Sequence, residues 1–201
     1  MNAAPELKKR NLIFLGAPGA GKGTIAHEMV KKYRIAHIST GDILRGEVAA
    51  GTPAGKQAEK LIGNGQLVPD ELVAGMVRRR IAEPDCKRGF ILDGFPRTIA
   101  QAEALKQMLA ERGHELGMMI ELIVGEDVLM ARLLRRATLE GRADDNEETI
   151  RKRFEVYHSQ TEPLSQWFAQ QGIRHTFDWS ICKTKEGMLE AIFREIEKEN
   201  G

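Results

Sequence analysis

The stretch Gly16-Ala17-Pro18-Gly19-Ala20-Gly21-Lys22-Gly23-Thr24 decides how the chain is read. It fits the phosphate-loop spacing of a glycine, four residues and then Gly-Lys. Before it lies Leu12-Ile13-Phe14-Leu15, a short apolar run of the kind that forms a strand covered on both faces. After it a helix is expected from Lys22 to about Lys32. In a strand, glycine loop and helix in that order, backbone N–H groups can turn inward on phosphate oxygens, because no Cβ obstructs them. The helix N-terminus adds partial positive charge. Lys22 supplies a mobile cation for the β- and γ-phosphates. The usual motif has Ser or Thr directly after the lysine; here Gly23 intervenes and Thr24 follows.

Phe90-Ile91-Leu92-Asp93 reads as another strand, with a carboxylate at its C-terminal end. Ligands of open parallel sheets bind at that edge. Asp93 is therefore a candidate for holding magnesium, through water, since magnesium keeps several waters. Further strands are expected at Ala36–Ile38, Met118–Val124 and Ile173–Phe177. Thr40 or Asp42 can cap a helix through roughly Ala50, which Gly51-Thr52-Pro53 breaks; further helices are expected at Gly55–Ile62, from Pro69 to about Glu83 before a loop at Pro84-Asp85, and at Ile99–Arg112, Asp127–Arg136 and Glu186–Glu199. Another should run from Glu147 to about Gln170, kinked near Pro163, with Thr138–Asn146 as a polar loop before it. Strands alternating with helices predict an α/β fold: a mostly parallel sheet of about five strands, covered on both faces.

The 201 residues suit one domain, residues 1–201. With 42% hydrophobic and 29% charged residues, the chain can build a core and is not disordered. A net charge of +1 gives no bulk field toward nucleic acid or membrane, so any cationic site must be local. Cys86 and Cys182 stand far apart in no metal-ligand spacing and read as reduced thiols. His27, His37, His114, His158 and His175 also lack ligand spacing, and His37 is expected in the core or on the surface rather than in catalysis. The start, Met1–Arg10, and the short apolar run after it do not read as a signal peptide. A cytoplasmic protein is expected.

Beyond Asp93 comes Gly94-Phe95-Pro96-Arg97-Thr98. Three more stretches accompany it: Ser39-Thr40-Gly41-Asp42-Ile43-Leu44-Arg45, Gly65-Gln66-Leu67-Val68-Pro69, and Gly141-Arg142-Ala143-Asp144-Asp145-Asn146 running on to Arg151-Lys152-Arg153. With the phosphate loop, these closely resemble the nucleoside monophosphate kinases, and among them the adenylate kinases, from about Leu12 to Leu164. The resemblance implies a P-loop NTPase-type sheet, ATP, AMP and ADP as ligands, and Mg2+ as the ATP complex. It implies that Gly19, Ala20, Gly21, Lys22, Gly23 and Thr24 hold ATP phosphates and that Arg132 stacks on the ATP adenine. It assigns AMP to Thr40, Arg45, Gln66, Leu67, Val68, Gly94, Phe95, Pro96, Arg97 and Gln101. Arg136, Arg142 and Arg153 would grip phosphates, with Asp144 and Asp145 placing them. Residues 39–68 would form an AMP-binding segment and 137–146 a short lid, without the zinc-binding insertion of many relatives. A monomer is expected.

The chemistry accounts for this inventory independently. Phosphoryl transfer needs two anions in line, water excluded and spread negative charge neutralised. Arginine serves because its planar fork grips phosphate in two places and keeps its proton. Arg132 and Arg136, four apart, share one helical face. Late in the chain, Phe177-Asp178-Trp179-Ser180-Ile181-Cys182-Lys183 departs from the family pattern by two inserted residues, and Lys183 matches best the backbone that meets the ATP adenine. Arg34 stands where glycine is common and reads as a neutral loop change. A UMP or CMP kinase is the nearest alternative; such relatives tend to carry Ala at Thr40 and Asn at Thr98. A non-catalytic nucleotide-binding module is the other. The Asn-Lys-x-Asp guanine motif of switch GTPases is absent.

Overall fold

The computed structural model describes residues 5–142 and 144–201. Residues 1–4 of the Met1–Arg10 start and Ala143 of the short lid lie outside the described residues. Five strands form one parallel sheet in the order β2-β3-β1-β4-β5: β1 Asn11–Leu15, β2 Ala36–Ser39, β3 Phe90–Asp93, β4 Met118–Ile123 and β5 Arg174–Asp178. Every residue of β1 is buried, as its unbroken apolar run predicts for a central strand. Side chains alternate along it. Leu12 and Phe14 join one core with α1 (Lys22–Tyr33), while Ile13 and Leu15 join the other with α5 (Ile99–Ala110). The first core also takes Leu129 and Leu133 of α6 (Glu126–Glu140) and Met188, Ile192 and Ile196 of α10 (Lys185–Asn200). The second takes Val73, Met76 and Val77 of α4 (Asp70–Arg80), and Leu164 and Phe168 of α8 (Pro163–Gln170).

The connection after β1 leads to β2 on one side, and the connection after β3 leads to β4 on the other. That reversal opens a crevice beyond the C-terminal ends of β1 and β3. The glycine loop and Asp93 both sit there. Over the crevice stand α2 (Thr40–Ala49) and α3 (Pro53–Gly63), packed on each other.

Several boundaries differ from the sequence expectation. The α6 helix continues through Glu140, where a loop was expected from Thr138, because Ala137, Leu139 and Glu140 sustain a helix until Gly141 turns left-handed at φ 64. The long helix after Glu147 breaks into α7 (Glu147–Val156) and α8 through one π turn, Tyr157–Thr161, just before Pro163. Ser39, rather than Thr40 or Asp42, caps α2 by accepting from the Asp42 N–H. Pro84–Arg88 forms a short 3-10 helix where a loop was expected, and Trp179–Cys182 forms the one-turn helix α9. Arg34 ends α1 in the left-handed region, φ 53, where a residue other than glycine carries backbone strain.

Candidate active site

The glycine loop closes on itself. Gly19 has φ 86, and a Cβ there would stand 3.0 Å from Leu133 Cγ, so only glycine fits the turn against α6. Lys22 folds back, its Nζ donating to the carbonyls of Gly16 (2.7 Å) and Ala17 (3.1 Å). Burial lowers its ammonium to about 8; Asp93 opposes this, while Arg97, Arg153 and Arg136 add to it. Asp93 lies beside Gly23. Burial pushes its carboxyl up, but His37, Lys22 and Arg97 outweigh that and hold it below the usual carboxylate range. His37 on β2 brings Nε2 within 3.5 Å of Asp93 Oδ2 and lies edge-on to His27. It therefore lines the phosphate cavity beside Asp93, a place its spacing in the sequence does not signal.

Across the crevice, Gly94 turns at φ 79, and a Cβ there would meet the Thr40 hydroxyl at 2.8 Å. The buried Thr40 hydroxyl donates to the Gly94 carbonyl (2.8 Å), and Arg97 Nε donates to the same oxygen (2.9 Å). The Thr161 hydroxyl of the π turn donates to the Arg97 carbonyl (2.9 Å). Burial, reinforced by Arg153 and Arg45, lowers Arg97 to about 10, so it remains cationic at neutral pH. Arg45 is ion-paired with Asp42. Gln101, buried on the first turn of α5, accepts from Arg97 N–H (2.7 Å) and donates through Nε2 to Asp70 (2.7 Å).

Arg136 and Arg153 meet on one buried carboxylate. Arg136 of α6 grips Asp145 with two bonds, 2.6 and 2.8 Å, and Arg153 of α7 adds a third at 2.6 Å. Asp145 is 0% exposed. Asp144 lies 3.5 Å from Arg153, and Arg142 pairs with Glu140 (2.6 Å). Arg132 stacks its guanidinium 4.1 Å above the ring of Trp179 in α9. That stack was not foreseen, because only the fold brings α6 and the end of β5 together.

Part of this set lines one cavity of about 690 Å3, within the size range of ligand sites, ~300–1,000 Å3. Lys22, Arg97, Arg132, Arg136, Arg142 and Arg153 all face it, as do Asp93 and Thr24. A smaller cavity of about 70 Å3 adjoins, lined by Thr40, Gln66, Leu67, Val68 and Gln101 among others. Trp179 and Lys185 line the larger cavity; Lys183, exposed at the end of α9, is not among its lining residues. At the opposite end of the sheet, His175, Glu195 and Glu199 bring ligand-type atoms within 4.8 Å, but Lys198 and Lys9 already pair with those carboxylates. Among the described residues, no helix is long and apolar enough to cross a membrane.

A family model described as adenylate kinase matches residues 14–173. The chain belongs to the adenylate kinase family. It is 50% identical over 187 residues to the adenylate kinase of Phocaeicola vulgatus, covering 92% of this chain and 95% of that one. It is 55% identical over 161 residues to the adenylate kinase of Bacteroides thetaiotaomicron, 80% and 85% of the two chains. To that of Archaeoglobus fulgidus it is 44% identical over 214 residues, 93% and 96%. Family membership makes the chain a nucleotide phosphotransferase.

Proposed function

We propose that the chain catalyses ATP + AMP = 2 ADP, with ATP phosphates on the Gly19–Thr24 loop and AMP between the Gly94 turn and Gln101. One observation carries this reading: Lys22, Arg97, Arg136, Arg142 and Arg153 converge on a single cavity in a chain whose net charge is only +1. A site for one nucleotide would not need so many cations on the side away from the glycine loop. In the transfer, an AMP phosphate oxygen attacks the γ-phosphorus, and the bond from γ-phosphorus to the bridging oxygen breaks, leaving ADP on each side. The spreading negative charge is met by Lys22 from the loop and by the arginines from Gly94, α6 and α7. ATP arrives as its magnesium complex, and Asp93, kept ionised at the end of β3, is the group suited to hold that ion through water. Arg132, stacked on Trp179 at the wall of the larger cavity, offers a flat cationic face that suits the ATP adenine. We read the enzyme as a cytoplasmic monomer working on free nucleotides.

A coupled assay with AMP, GMP, CMP and UMP as acceptors tests the reading. AMP should exceed each of the others by at least about a hundredfold in kcat/KM, roughly 2.7 kcal/mol. Preference for UMP or CMP would assign the chain to the pyrimidine branch instead.

A further inference from the structure

We propose that Asp70 is a positioning residue that locks the side-chain amide of Gln101 in one orientation and so sets which purine the acceptor site takes. The inference rests on the reading above that the acceptor base lies against Gln101. A glutamine amide carries a carbonyl and an NH2 of nearly equal shape. Turned one way it matches adenine, with its N1 acceptor and N6 donor. Turned the other way it matches a 6-oxopurine, with its O6 acceptor and N1 donor. Gln101 alone therefore cannot discriminate.

Its surroundings remove that freedom. Gln101 Nε2 donates to Asp70 Oδ1 at 2.7 Å, and a carboxylate can only accept. Gln101 Oε1 accepts from the Arg97 backbone N–H at 2.7 Å, and that group can only donate. A flipped amide would set its carbonyl against the carboxylate and its NH2 against the Arg97 N–H. Asp70 is itself fixed. Its other oxygen accepts from the Thr98 hydroxyl at 2.8 Å, and that hydroxyl oxygen accepts from the Gln101 backbone N–H at 3.2 Å. Asp70 is also the first residue of α4, so its backbone position is held by the helix start. With one N–H and one lone pair spent, Gln101 keeps one N–H and one lone pair. Gln101 lines the small cavity and Asp70 does not, so Asp70 acts from behind the residue that meets the base. The same network assigns Thr98 a part: its single hydroxyl proton holds Asp70 in place.

Inosine monophosphate (IMP) is the probe. It has the 6-oxopurine pattern but lacks the 2-amino group of guanine, so rejection cannot be blamed on size. Wild-type enzyme should favour AMP over IMP by at least about a hundredfold in kcat/KM. Asp70→Asn keeps the shape but offers a donor as well as an acceptor, so it removes one of the two locks. Its AMP:IMP ratio should narrow about tenfold, with a raised AMP KM and an unchanged ATP KM. A merely structural role predicts instead that both substrates weaken together and the ratio stays put; that result overturns the proposal. Should Asp70→Asn fail to fold, wild type decides alone, and IMP turnover within about threefold of AMP overturns the proposal. Gln101→Ala separates the two levels. If it collapses the ratio while Asp70→Asn does not, only the role of Asp70 falls. If it changes neither the ratio nor the AMP KM, the placement of the acceptor base falls with it.

Discussion

Lys22 combines two demands that conflict. It must be charged to meet phosphate, yet burial lowers its proton affinity to about 8, against the pull of Asp93 and with repulsion from Arg97, Arg153 and Arg136. In the free enzyme the ammonium is lost as pH rises through about 8, whereas bound phosphates restore it. Thus kcat/KM for ATP, which reports the free enzyme, should decline above pH about 8. Calorimetry in buffers of different ionisation heat should record proton uptake on ATP binding near pH ~8.5 and none near pH ~6.5. Lys22→Met should abolish the uptake and slow turnover at least about a hundredfold, on the order of 3 kcal/mol. An ATP profile flat to pH ~10 would remove Lys22 from the phosphate contact. Lys22 is legible in the sequence because its chemistry is local, fixed by glycines within a few positions of it. Asp70 and His37 are not, because they act through contacts that only folding creates; Gln101 and Asp70 stand 31 positions apart.

The pair α2 and α3, read above as part of the AMP-binding segment, depends on one close approach. Gly55 of α3 packs so tightly on α2 that a Cβ there would lie 2.1 Å from the Glu47 carbonyl oxygen and 2.4 Å from its carbon. Those are backbone atoms and cannot rotate aside. Gly55→Ala should therefore lift α3 from α2, cost about 1–3 kcal/mol in thermal or denaturant unfolding, and raise the AMP KM well above any change in the ATP KM. An unchanged AMP KM would show that the α2–α3 contact does not shape the acceptor site. The sequence reading finds α3 but starts it at Gly55, because Thr52-Pro53, which cap and open it, read instead as a break after α2. It stops α6 early because the helix-forming residues before Gly141 were read as part of the polar lid. It places a kink at Pro163, but the distortion is the π turn before it, whose Glu162 N–H reaches back to the Tyr157 carbonyl at 2.8 Å.

For the molecule as a whole, the sheet order puts the glycine loop and the Gly94 turn at the ends of adjacent strands, so two anions can be brought into line without a long-range rearrangement of the core. This level was legible from unbroken apolar runs alternating with helical segments. What the sequence did not convey is how the two cavities join. The small cavity beside Gln101 shares Arg45, Leu67, Gly94, Arg97 and Arg153 with the larger one, and Gly65 rests against Thr149 and Arg153 of α7. We expect residues 39–68 to swing over AMP and residues 137–146 over ATP, because water reaching the γ-phosphate would hydrolyse the ATP. The direct test is hydrogen exchange with a bisubstrate analogue in which a chain of phosphates joins two adenosines. The account predicts that the analogue binds far more tightly than ATP and protects the glycine loop together with both the 39–68 and the 137–146 segments. Protection confined to the glycine loop, with affinity no better than that of ATP, would contradict the two-nucleotide site.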